Sequence, residues 1–484
     1  MLPIILCMGS EMRLRMFLTA LLLGSFAICL PSSAFAAEVN GALLSALWTF
    51  PFVGLLLSVA LLPLMTPALW HHHFGKIALG WGLLFLLPYA MQFGVSMAFF
   101  SALHTLFAEY IPFIILLATL FVVAGGICVR GNLHGSPELN TGLLALGTVL
   151  ASIMGTTGAA MLLVRPLIRA NDNRQHVKHV MVFFIFLVAN AGGALTPLGD
   201  PPLFLGFLQG VDFLWPLKHL YGQTLFLCLS LLLMFYLLDR YYFHRREEER
   251  PVALDPTPDS AIRIEGGINF VLLLGVVLLV LVSGLWKPGI SFLIGGAEQE
   301  LQNLVRDLGL LALLLLSLKL TPTTARDGNE FSWSPILEVA KLFAAIFVTI
   351  IPVIAILKAG ENGAFAAVVR AVSDGQGQPI NSMYFWATGM LSGFLDNAPT
   401  YLVFFNTLGG DAQLLMTKFA GSLAAISCGA VFMGALSYIG NAPNMMVKAI
   451  AEQRGIVMPS FFGYMAWSCS CLLPLFALMT LIFF

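Results

Sequence analysis

Apolar residues run along this chain in long continuous blocks, without the two-residue alternation of a half-buried strand or the narrow stripe of a surface helix. Blocks approaching the roughly 20 residues that carry a helix across a bilayer cover residues 43–65, 77–100, 113–129, 270–285, 304–318 and 336–357. Barrel strands are shorter and alternate, so helices are expected. The pattern predicts an all-α polytopic membrane protein built as two inverted-topology repeats. Each repeat holds three spans, a re-entrant hairpin, a long broken transmembrane helix and a final span.

The hairpins come from the segments that spoil a simple count. Residues 141–167 are followed by Arg169, Arg174 and Lys178, so both flanks belong on the positive side and the segment enters and leaves by one face. Its tip falls at Gly155, Thr156, Thr157 and Gly158, residues suited to exposed backbone. Residues 180–213 then cross, 221–238 return, and a second hairpin is expected at 383–406, followed by 419–450 and 464–484. Of the 24 Lys and Arg, two lie in the N-terminal leader. This orientation puts 16 inside and six outside, namely Lys218, Lys287, Arg306, Lys358, Arg370 and Lys418. The excess selects it over its mirror image.

The domain plan is a signal peptide at 1–36, a first transmembrane repeat at 37–241, a charged cytoplasmic linker at 242–267 and a second repeat at 268–484. The leader carries basic Arg13 and Arg15, an apolar stretch, and Ala34, Phe35 and Ala36 as an A-x-A cleavage pattern, with Met12 an alternative start. From Asp239 onward the chain reads as a solvated connector, through Arg245, Arg246, Glu247, Glu248 and Glu249. Residues 192–203 align with 433–444 at a shift of 241. Gly193, Ala194, Leu195, Gly199 and Pro202 then meet Gly434, Ala435, Leu436, Gly440 and Pro443, and the same shift lays one hairpin tip on the other.

Helix breakers interrupt both long elements: Pro197, Gly199, Pro201 and Pro202 in the first, Gly440 and Pro443 in the second. Unwound backbone inside a membrane has to line a cavity or bind something. Oxygen-bearing side chains gather at these breaks and at the tips. They are Thr156, Thr157, Asn190, Thr196 and Asp200 in the first half, and Asp396, Asn397, Thr400, Ser437, Asn441 and Asn444 in the second. Asp200 and Asp396 are the carboxylates expected deep in the membrane, where an ionised side chain without a partner costs at least ~2.5 kcal/mol. Either suits Na+ when ionised and carries a proton when neutral, and competition for one carboxylate gives antiport. Arg165 is expected to snorkel to the surface, and His71, His72 and His73 to sit in a solvated interfacial loop.

Composition agrees with the pattern. With 59% hydrophobic and 10% charged residues and a mean hydropathy of +0.90, the chain carries more apolar surface than a soluble domain can cover. A net charge of −1 spread over short loops offers nucleic acid no patch. Cys128, Cys228, Cys428, Cys469 and Cys471 lie in apolar segments, as small hydrophobes do. H-E-x-x-H, G-x-S-x-G and nucleotide-binding loops are absent from the sequence, so an enzyme or a nucleotide-driven pump is not expected, nor a cofactor.

The runs NAGGALTPLGDPP (190–202), SGFLDNAPT (392–400) and YIGNAPN (438–444) together resemble the ion-transporter superfamily. That superfamily contains NhaD-type sodium/proton antiporters, arsenite permeases, and citrate and dicarboxylate carriers. The resemblance implies paired hairpins with broken helices, a binding site between them, elevator-like alternating access and a homodimer. The Ser-Asn-Thr tips typical of dicarboxylate carriers are replaced here by Gly155, Thr156, Thr157 and by Asp396, Asn397, Ala398, Pro399. The expected function is Na+/H+ exchange at Asp200 and Asp396, in a multi-pass protein of a bacterial-type inner (plasma) membrane. The alternative is cation-coupled transport of citrate or another small anion.

Overall fold

A computed structural model of the chain describes residues 39–132, 134–245, 260–294 and 297–484. The expected signal peptide and the charged run 246–259 lie outside the described residues. Helices make up nearly all of the rest. The strands form two short antiparallel pairs, Cys128–Asn132 with Ser260–Glu265 and Ser291–Ile294 with Ala297–Glu300. Among the described residues nine helices are long and apolar enough to cross a membrane, including Ala46–Met65, Pro67–Phe93, Val95–Ala124 and Trp215–His244.

The outer helices are built for an apolar solvent. On helix Trp215–Arg245, Leu220, Leu227, Leu231 and Phe235 are buried, whereas Leu225, Leu229, Leu233 and Leu237 are exposed. The exposed set recurs every four residues and so makes one stripe along the helix. Such a stripe is unfavourable in water and is solvated in lipid.

At the centre, two hairpins pack against two broken helices. The first hairpin joins Pro137–Met154 to Thr156–Ala170 through Gly155, whose φ of +82° favours glycine. The second joins Asn381–Phe394 to Asn397–Thr407, with Asp396 as the N-cap of the returning arm. The first broken helix runs Lys178–Leu187, Ala191–Leu195 and Pro201–Leu208; the second runs Ala420–Met433, Gly434–Leu436 and Ala442–Gln453. Residues 180–187 and 422–433 are buried on every side, as central elements must be.

Three expectations about position change. Helix Pro67–Phe93 begins at a proline well before residue 77, so His71, His72 and His73 are exposed on a helix instead of a loop. The third span starts at Val95 instead of Phe113: Gly94, at φ +95°, separates it from the preceding helix, and the polar stretch around His104 and Glu109 stays helical. Helix Trp215–Arg245 continues through Asp239, which is buried and not part of a solvated connector. Arg174 (2.6 and 3.0 Å), His179 (2.7 Å) and the Asn140 amide (3.0 Å) all reach its carboxylate and hold the helix end in place.

Candidate functional site

Both broken helices are interrupted where an unwound carbonyl is needed elsewhere. The Thr156 backbone N–H, at the first hairpin tip, donates to Gly199 O at 2.8 Å, and the Asn397 N–H, at the second, donates to Gly440 O at 3.2 Å. The Leu198 N–H donates to Thr196 Oγ1 (3.2 Å) and the Ile439 N–H to Ser437 Oγ (3.1 Å). In both pairs donor and acceptor are displaced by the same 241 residues as the sequence match. A side chain at Gly199 would strike the Gly193 carbonyl, and one at Gly440 the Gly434 carbonyl, so both breaks close tightly only on glycine.

These bonds bring four helix N-termini to one carboxylate. Asp200 is the N-cap of Pro201–Leu208 and is 2% exposed. Its Oδ1 accepts from the Thr156 hydroxyl (2.9 Å) and from Asn441 Nδ2 (2.9 Å), and its Oδ2 from Asn397 Nδ2 (2.5 Å). Thr156 and Asn397 open the returning arms of the two hairpins, and Asn441 is the N-cap of Ala442–Gln453. Asn441 stands 241 residues after Asp200, so the acid of one half meets the amide at the same place in the other. Thr156, Thr157 and Asp200 are also the polar side chains lining an adjoining cavity of about 100 Å³, whose walls include Leu120, Phe204, Ile336 and Met446.

The remaining candidates sort by what they touch. Asn190 Nδ2 donates to Ile185 O and to Asn444 Oδ1, and Asn444 Nδ2 donates to the Gly434 and Ser437 carbonyls, so this pair satisfies backbone freed by the breaks. Thr196 donates to Ser152 O and Thr400 to Asp396 O. Asp396 is half-buried and accepts from the Ala398 N–H at 3.2 Å, a capping bond. The structure therefore gathers Thr156, Asp200, Asn397 and Asn441 around one carboxylate and leaves Asp396 one residue behind that set. Arg165, expected at the surface, is buried and pairs with Glu330 at 3.3 Å. Ser152, whose hydroxyl donates to Gly192 O and accepts from the Leu195 N–H, was not singled out in the sequence because one serine in an apolar arm carries no pattern.

Residues 41–484 match the family model described as "Putative citrate transport". The chain belongs to this family. It is thereby a member of the ion-transporter and citrate-transporter-like superfamily, as its three motif runs suggested. Among curated proteins no match is found.

In this family member the junction has a simple electrostatic character. Three neutral donors, each worth about 1.5–3 kcal/mol to a charged acceptor, offset the several kcal/mol it costs to bury an ionised carboxylate. The helix N-termini, each equivalent to roughly +0.5 charge, act in the same direction. Among the described residues no Lys or Arg side chain bonds to Asp200. Asn397 Oδ1 is buried with no partner of its own, which leaves an oxygen acceptor beside the acid.

Proposed function

We propose that the protein is a cation-coupled secondary transporter in which Asp200 holds the transported or coupling cation, Na+ and H+ competing for it. The observation that carries this reading is the carboxylate at the meeting of both halves, held by neutral donors only and flanked by the unpaired Asn397 Oδ1. Hard cations take oxygen ligands, and Asp200, Asn397 and the Thr156 hydroxyl supply three. Asp396, next to Asn397, adds negative potential near the site without bonding to Asp200.

Exchange of Na+ for H+ is the form that the geometry favours. The adjoining cavity is small, and the side chains lining it include no Lys, Arg or His to neutralise a tricarboxylate. The second form, cation-coupled transport of citrate or a related anion, draws support from the family description and from the four convergent helix N-termini, which suit carboxylate oxygens. In both forms the two halves, placed in opposite orientations across the bilayer, expose the site alternately to each side.

Proteoliposomes decide between them. Sodium-induced collapse of an imposed pH gradient and uptake of labelled citrate are followed in parallel, with Asp200→Asn as the control. Sodium-induced collapse without citrate uptake is expected. Citrate uptake abolished by Asp200→Asn would establish the second form, and flux in either arm that is indifferent to Asp200→Asn would remove Asp200 from its role.

A further inference from the structure

Glu109 lies within the apolar run Val95–Ala124, in a π-helical segment, Leu106–Tyr110, between two α-helical stretches. The extra residue of a π turn re-aims the side chains around it. Here Glu109 borders a cavity of about 470 Å³ together with Gln209, Lys358, His104, Ser101 and Tyr89. Tyr89 is 1% exposed and borders this cavity beside Ser101. Gln209 Nε2 donates to Glu109 Oε1 at 3.2 Å. Gln209 is also the C-cap of Pro201–Leu208, the helix whose N-cap is Asp200, so one two-turn helix of about 12 Å has a carboxylate site at each end. Between the two cavities stand four buried rings. Phe113 is 6.4 Å from Phe204, in the wall of the Asp200 cavity, and 5.7 Å from Phe347, in the wall of this one, with Phe343 at 4.8 Å.

We infer that this cavity is a second ion site, in which Glu109 exchanges a proton or monovalent cation with one aqueous side, while the phenylalanine cluster separates it from Asp200. Ionisable groups within apolar spans commonly mark ion and proton pathways, and this one borders a cavity and is joined to the Asp200 helix through Gln209. The titratable or charged groups facing it are His104 from its own helix, Tyr89 from Pro67–Phe93 and Lys358 from Ile351–Lys358. The site stands without the function proposed above; only its link to transport at Asp200 rests on that function.

The test uses the full-length protein in native membranes and N,N′-dicyclohexylcarbodiimide, a lipid-soluble reagent: a protonated carboxyl adds its O–H across one C=N bond, and the O-acylisourea rearranges to a stable N-acylurea. Peptide mass spectrometry scores Glu109 and Asp200 separately. A Glu109 adduct is expected that falls about tenfold per pH unit once the group ionises, that diminishes with added Na+, and that Glu109→Gln abolishes while leaving the Asp200 adduct. Phe113→Ala is expected to raise the rate of Asp200 modification by a water-soluble carbodiimide. Absence of a Glu109 adduct at every pH, or one indifferent to pH, overturns the inference whether or not Asp200 reacts, and loss of transport in Asp200→Asn is read independently of it.

Discussion

Two buried aspartates in this molecule are held in opposite ways. Asp239, fully buried, receives both terminal nitrogens of Arg174, the ring of His179 and the amide of Asn140. Asp200, almost as buried, receives one hydroxyl and two amides. The first carries its countercharge in the fold. The second has donors enough to remain in place but no Lys, Arg or His partner among the described residues, so under the proposed function its neutralising charge comes and goes. Burial alone does not make a carboxylate functional; what distinguishes the two is whether the protein itself closes the charge balance.

The largest test of that contrast is Asp200→Asn. The amide keeps the shape and much of the hydrogen bonding, so the purified variant is expected to melt close to the parent while transport in proteoliposomes falls to background. Asp239→Asn is expected to do the reverse. It strands Arg174, 3% exposed at its side chain, without its partner, and breaking such a pair costs about 3–5 kcal/mol. Yield and thermal stability should drop, with near-normal flux per folded molecule. If Asp200→Asn proved as unstable as Asp239→Asn, or Asp239→Asn stable and inactive, the assignment of roles would be reversed.

A finer cut removes one donor from Asp200. Thr156→Val is nearly isosteric and deletes a hydrogen bond to a charged group, worth about 1.5–3 kcal/mol. Because the bond supports the ionised form that binds a cation, half-saturating sodium in the exchange assay is expected to rise at least about tenfold, with maximal flux retained. Unchanged sodium dependence would mean that the hydroxyl only closes the hairpin tip.

The sequence shows much of this arrangement and misses part of it for identifiable reasons. Helix breakers beside Asn, Thr and Asp mark the junction, and the 241-residue shift pairs Asp200 with Asn441 before any coordinates are known. The same signals mark Asp396 equally, because both aspartates are helix N-caps beside a break or a tip; only the tertiary approach of Asn397 to Asp200 tells them apart. Asp239 reads as solvated because it begins a run of charges, whereas its partners lie 60 and 65 residues earlier, at His179 and Arg174. Glu109 escapes because the third span is read from Phe113. Extending that span back through the polar residues would have flagged a carboxylate inside an apolar run.

The smallest effect comes from a third carboxylate, which supplies the solvent limit of the same comparison. Glu265, on strand Ser260–Glu265, pairs with Arg130 on Cys128–Asn132 at 2.8 Å, a bond as short as many around Asp239. The side chains are 32% and 46% exposed, so water reaches the Arg130 guanidinium and part of the Glu265 side chain, although Glu265 Oε2 is itself buried, and salt screens the pair. Contact with the Glu265 carboxylate raises the Arg130 pKa above its ordinary value, chiefly through their hydrogen bond, yet a guanidinium is protonated throughout the accessible range and no pH dependence follows. Arg130→Ala and Glu265→Ala are each expected to match the parent in melting temperature and in flux, at low and at high salt. A clear loss in either variant would mean that distance, and not access to water, governs what a carboxylate contributes here, and the contrast between Asp200 and Asp239 would lose its physical basis.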